Sequence, residues 1–97
     1  MARTVYLSGP ITGVEAYWLA FERAEEAAIE RGEIPLNPAT LPEGMEPWQY
    51  MRICMSMLDC ADAIIMLPGW EASEGAKVER AYALYAGIPV YYPHEQS

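Results

Sequence analysis

Two short stretches of the chain combine glycine, hydroxyl and turn residues in a pattern suited to holding an anion: Ser8-Gly9-Pro10-Ile11-Thr12-Gly13 and Pro68-Gly69-Trp70-Glu71-Ala72-Ser73-Glu74-Gly75. The second feeds a predicted helix, whose first N–H groups and dipole favour a phosphate without help from Lys or Arg. Taken singly, Gly9, Pro10, Gly13, Pro68 and Gly69 are turn residues. Ser73 is first of all a helix cap, although a capping hydroxyl is also able to meet a ligand. Trp70 follows a glycine in a loop, so its large apolar surface either covers the edge of the core or lines a cleft. Glu79 stands a turn and a half into the following helix beside an apolar stripe, where a glutamate is ordinarily part of a solvated face.

Metal and disulfide chemistry have little to build on. The chain has one histidine, His94, and no C-x-x-C or H-x-x-x-H spacing, so no metal is expected and no cofactor is called for. Cys54 and Cys60 lie six residues apart on one predicted helix, about two-thirds of a turn out of phase, which disfavours a disulfide. They read as the reduced thiols of a cytoplasmic protein.

The elements that must position these residues follow from hydrophobic spacing. Thr4 to Ser8 is a strand of β-branched and aromatic residues stopped by Gly9-Pro10. Val14 to Arg31 is a helix with Tyr17, Phe21, Ala24 and Ala28 on its core face, a wet face of Glu22, Glu25, Glu26 and Glu30, and an end at Gly32. Ile34 to Asn37 is a short strand closed by Pro38, and the turn-rich stretch through Pro42, Gly44 and Pro47 is a loop over the sheet edge. A second helix starts near Pro47 and carries Met51, Cys54, Leu58 and Ala61 on one face. Ala63 to Leu67 is a continuous apolar run, as a central parallel strand requires, broken by Pro68-Gly69. The third helix is capped by Ser73, presents Val78, Ala81, Tyr82 and Tyr85 to the core and ends at Gly87; Pro89 to Tyr92 is the last strand.

Strands alternating with helices imply one α/β domain over residues 1–97, a three-layer flavodoxin-like or Rossmann-like fold. Its parallel sheet is expected to have four or five strands in the order 2-1-3-4(-5). In that order neighbouring strands one and three send their connections to opposite faces, and the two glycine-bearing loops meet at that switch point.

At 97 residues the chain has room for one modest core, and 53% hydrophobic with 21% charged residues is the balance of a folded protein. A net charge of -8 argues against nucleic-acid polymers and anionic membranes as partners, since both need phosphates neutralised. No apolar run reaches the length of a signal core or membrane span, so a soluble, unexported protein is expected.

YLSGPITG at Tyr6 to Gly13, Asn37-Pro38, and CADAIIMLPGWEASEGAKVERAYAL at Cys60 to Leu84 resemble, in order and spacing, the nucleoside 2-deoxyribosyltransferase-like superfamily. Within it, the GP-x-TG loop, a W-x-x-Y/M helix start and the LPGWE-x-S-x-GA-x-x-E segment resemble a small phage and bacterial branch. The resemblance implies that Glu79 is the catalytic nucleophile at the anomeric carbon of a nucleotide or nucleoside, acting as an N-glycosidase or a deoxyribosyltransferase. A carboxylate suits that role because the glycosidic bond breaks through an oxocarbenium-like state. By similarity to the nucleoside monophosphate N-glycosidases, Ser73 stands six residues before the nucleophile, where those enzymes bind the 5′-phosphate. The same similarity matches Tyr6, Gly9 and Gly13 to the first loop of those enzymes; Ser8 and Gly69 are further candidate substrate contacts in the two loops, with Ser73 and Gly75 expected to hold the phosphate and Tyr6 and Trp70 to border the base. It further implies a homodimer or larger homo-oligomer.

One departure from the pattern stands out. Where those glycosidases carry an Asp eight residues before the strand-proximal Asp, this chain has Cys54 before Asp62. Asp62 itself reads more readily as a turn or cap residue. The loss leaves open a slow glycosidase, a different reaction using Glu71 or Glu74, or a non-catalytic module that binds a nucleotide or ADP-ribose-like ligand.

Overall fold

A computed structural model describes residues 2–93; Met1 and the C-terminal residues from His94 onward lie outside the described part. Four strands, β1 (Thr4–Ser8), β2 (Ile34–Leu36), β3 (Ala63–Met66) and β4 (Val90–Tyr91), form an all-parallel sheet in the order β2-β1-β3-β4. Three helices connect them: α1 (Tyr17–Glu30), α2 (Pro47–Asp59) and α3 (Glu74–Ala86). The fold is thus the expected flavodoxin-like α/β arrangement, with four strands and no fifth among the described residues.

Alternation along the strands divides the interior in two. Val5, Leu7, Ala63, Ile65 and Leu67 face α1 through Phe21 and Ala28. Tyr6, Ile64 and Met66 face the other way and pack with Cys54 and Leu58 of α2 and Ala76 and Ala83 of α3. The period of two in a strand therefore sends Tyr6 and Ser8 to the α2/α3 side. Burial of both faces of β1 and β3 explains why Ala63 to Leu67 reads as an unbroken apolar run. No helix is long and apolar enough to cross a membrane, among the described residues.

Several boundaries shift from the expected ones, each for a local reason. Helix α1 begins at Tyr17 rather than Val14, because Gly13 (φ 77°) and Ala16 (φ 54°) adopt left-handed conformations that interrupt helical geometry. Strand β2 stops at Leu36, since Asn37 turns its side chain to accept from Ala39 N–H at 2.9 Å and starts a 3₁₀ turn over Pro38–Thr40. Strand β3 ends at Met66, although Leu67 N–H still donates to Ser8 C=O at 2.8 Å, and β4 is confined to Val90 and Tyr91. The second helix ends at Asp59 rather than near Ala61.

The core face of α3 also differs. Ala76, Glu79 and Ala83 are the buried positions, whereas Val78 is 49% exposed and Tyr85 91%. The helix is turned so that small alanines approach the sheet and Glu79 points inward. Asp62 does not cap a helix: its Oδ2 accepts from Thr4 N–H at 2.9 Å, which ties the approach to β3 to the first residue of β1. Cys54 is buried, Cys60 exposed, and both are free.

Candidate functional site

Glu79 is 6% exposed, an unusual place for a carboxylate, and both of its oxygens are engaged by β1. The Tyr6 hydroxyl donates to Oε2 at 2.7 Å and the Ser8 hydroxyl donates to Oε1 at 2.6 Å. Because Tyr6 and Ser8 share one face of the strand, the phenol and the shorter hydroxyl clamp the two oxygens from the same side. Such charge-assisted bonds contribute about 1.5–3 kcal/mol each, which offsets part of the cost of burying the charge. Burial still dominates: it pushes the Glu79 carboxyl above its ordinary range, with the Ser8 and Tyr6 hydrogen bonds opposing it. Burial and the nearby Glu79 charge likewise push the Tyr6 phenol far up, so it stays a donor at neutral pH. The Cys54 thiol is pushed up by burial too, which leaves it protonated and a weak nucleophile.

Glu79, Tyr6 and Cys54 line a cleft of about 590 Å³ at the carboxyl ends of β1 and β3. That volume is in the range of sites for small organic molecules. The cleft opens where the connection after β1 leaves toward α1 and the connection after β3 leaves toward α3, as the switch-point rule requires. Close contact holds the two connecting loops together. A Cβ added to Gly9 would lie 2.8 Å from Leu67 Cβ, and one added to Gly69 (φ 85°) would lie 3.4 Å from Pro10 Cγ. Glycine at position 9 is thus required by the approach of one loop to the other.

Of the residues singled out in the sequence, Tyr6, Gly9, Ser73, Gly75 and Glu79 line the cleft. Ser8 sits behind it, clamping Glu79. Ser73 caps α3 by accepting from Ala76 N–H at 3.2 Å, and Gly75 in the first turn has open space where a side chain would be. Gly13, Gly69 and Trp70 do not line the cleft. Gly13 shapes the turn before α1, and Gly69 shapes the turn that leads out of β3. Trp70 covers the core edge instead, packed on Tyr92 with ring centroids 5.8 Å apart and under the Arg80 guanidinium at 4.9 Å.

Sequence reasoning missed one whole wall. The stretch placed over the sheet edge forms a side of the cleft through Leu41, Glu43, Gly44 and Met45, and α2 continues that wall with Pro47, Tyr50, Met51 and Cys54. The spacing 47, 50, 51, 54 is one helical face, so the signal was present. The apolar stripe expected on α2 divides: Leu58 enters the core, Met51 looks into the cleft, and the buried Cys54 lies where the two meet. Two carboxylates, Glu43 and Glu79, line it, and no Lys, Arg or His does so among the described residues. A phosphate there would be held by N–H groups and the Ser73 hydroxyl at the start of α3 rather than by a cationic side chain. No three His, Cys, Asp or Glu side chains gather as a metal-binding group among the described residues.

Chemically, an oriented, nearly dry carboxylate at the base of a mostly apolar cleft suits nucleophilic attack or proton abstraction. Accepting two hydrogen bonds leaves it lone pairs for a further partner. No curated protein matches the sequence. A family model matches residues 3–92, a span that includes Tyr6, Ser8, Glu43 and Glu79: the chain belongs to the family described as a domain of unknown function, DUF4406.

Proposed function

We propose that the protein cleaves the N-glycosidic bond of a nucleotide or nucleoside, as a glycosidase or a deoxyribosyltransferase-like enzyme, with Glu79 as nucleophile. The observation that carries this reading is the Glu79 carboxylate, buried at the base of the cleft and fixed by the hydroxyls of Tyr6 and Ser8. An anion held in place before the reaction stabilises an oxocarbenium-like state without reorganising during it. Aromatic and apolar side chains from Tyr17, Tyr50 and Met51 offer surfaces for a base, while Ser73 and Gly75 border the place for the sugar's 5′ end. The resemblance in the segments around Tyr6 and Glu79 adds to this reading.

The test is a panel of nucleosides and nucleoside monophosphates incubated with purified protein, with free base followed by chromatography. Wild type releases base from at least one compound, and Glu79→Gln loses that release by several orders of magnitude. Equal release by both removes Glu79 from the reaction. Cys54, standing in the cleft where the resemblance expects a carboxylate, favours a second reading, a module that binds a nucleotide or ADP-ribose-like ligand without cleaving it. An intact ligand identified by mass spectrometry after gentle purification, with no base release, would select this reading. A homodimer is part of the proposal, and the exposed Val78 and Tyr85 on α3 supply apolar surface for it. Light scattering decides the point, a 10.9 kDa particle ruling the dimer out.

A further inference from the structure

Breaking a glycosidic bond to a base ordinarily takes a second group, one that protonates the departing base and then activates the incoming water. The cleft has only one other carboxylate among the described residues, Glu43, which is exposed where Glu79 is buried. Glu43 is on the solvent-exposed part of the lining and Glu79 on the buried part, so a ligand filling the cleft would border both residues.

The loop that carries Glu43 is tied down. Tyr50, itself on the cleft wall, donates its hydroxyl to Pro42 C=O at 2.5 Å and accepts from Met45 N–H at 3.2 Å. These two bonds bracket Glu43 and Gly44. The next turn is anchored as well, because Gln49 accepts from Glu46 N–H at 2.8 Å. A side chain on an otherwise free loop would be a poor general acid, since proton transfer depends on a held geometry. A loop pinned on both sides of the residue removes that objection.

We propose that Glu43 is the second catalytic carboxylate of this cleft and that Tyr50 is the positioning residue that holds it there; the assignment rests on the glycosidic reading above. In the first half-reaction a Glu79 oxygen forms a bond to the anomeric carbon as the carbon–nitrogen bond breaks. The bonding pair goes to the base nitrogen, and Glu43 in its acid form gives that base a proton. In the second, Glu43 takes a proton from water, the water oxygen bonds to the anomeric carbon, and the Glu79 carboxylate leaves. The sum is hydrolysis, with water as the only co-reactant.

The experiment compares wild type, Glu43→Gln, Glu79→Gln and Tyr50→Phe by rapid-quench kinetics. Two substrates are used: a nucleoside that wild type cleaves, and its N7-methylated purine counterpart, whose charged base leaves without protonation. Glu43→Gln slows release of the ordinary base by about 10²–10⁴-fold. On the methylated substrate it gives a burst of one base per site followed by slow turnover, because the glycosyl-enzyme forms without an acid but its hydrolysis lacks a base. Glu79→Gln gives no burst with either substrate. Tyr50→Phe shows the Glu43→Gln pattern in milder form. Glu43→Gln that matches wild type on both substrates, or that loses burst and turnover alike, overturns the assignment while leaving the glycosidic reading intact. Tyr50→Phe with wild-type kinetics overturns the positioning role. Wild type that releases base from neither substrate overturns the glycosidic reading, and this assignment with it.

Discussion

The buried Glu79 carboxylate predicts a pH dependence of stability whose sign is fixed by the structure. In the unfolded chain this group titrates near 4.5, and in the fold burial raises it above that value. Between the two values the folded protein keeps a proton that the unfolded chain has lost, so stability falls as pH rises through the window. The limiting slope for one proton is about 1.4 kcal/mol per pH unit. Stability from this group is complete below pH 4.5 and is lost as pH passes the folded value. Glu79→Gln cannot titrate, so comparing it with wild type cancels every other ionisable group. The groups facing the carboxylate, Tyr6 and Cys54, are themselves pushed above their ordinary ranges by burial and do not change charge between pH 4.5 and 8.

Thermal melts of both proteins from pH 4.5 upward should show wild type losing ground to Glu79→Gln as pH rises, until pH passes the folded value. For a domain of this size each kcal/mol corresponds to roughly 4–8 °C in Tm. Tyr6→Phe sharpens the test. It removes a donor worth about 1.5–3 kcal/mol to the charged form, equivalent to roughly one to two pH units, so the loss should continue to correspondingly higher pH. Wild type that gains on Glu79→Gln with rising pH would mean a lowered carboxyl and would refute the reasoning. A Tyr6→Phe window that does not move would show that the phenol does not support the charge.

Other perturbations test the surrounding architecture. Gly9→Ala places a methyl carbon 2.8 Å from Leu67 Cβ, so the two loops must part; a loss of about 1–3 kcal/mol in chemical denaturation is expected. Gly75→Ala meets no atom within 4 Å and replaces a glycine in α3, so it should raise stability by up to about 1 kcal/mol while weakening any ligand whose 5′ end borders that turn, read by calorimetry. Glu33 has the opposite sign to Glu79. Burial tends to raise its carboxyl, but hydrogen bonds from Arg3 and Arg31 outweigh that and hold it below the ordinary range. Glu33→Gln should therefore cost about 0.2–1 kcal/mol at neutral pH, and the difference from wild type should vanish as acid protonates the group.

The sheet was largely legible before any coordinates. Strand β1 has the expected bounds, the all-parallel order follows from alternating elements, and the meeting of the two loops follows from that order. Helix α3 was legible in its ends, Ser73 and Gly87, but not in its rotation. Large apolar residues at 78, 82 and 85 and small ones at 76 and 83 leave two faces with comparable claims to the core. Periodicity alone does not choose between them. The cleft wall from Leu41 to Cys54 was obscured for a related reason: turn residues announce a loop without saying what it lies over.

The sequence alone determined the element order, the caps and breakers, and the two turns that flank the switch point, because these depend on the backbone preferences of a few neighbouring residues. Only the tertiary structure decided that α3 turns Glu79 inward beneath Tyr6 and Ser8, that Trp70 covers the core edge, and that Glu43 reaches the cleft. Those outcomes depend on how whole faces pack against one another, a sum over contacts between residues far apart in the chain that no local pattern contains.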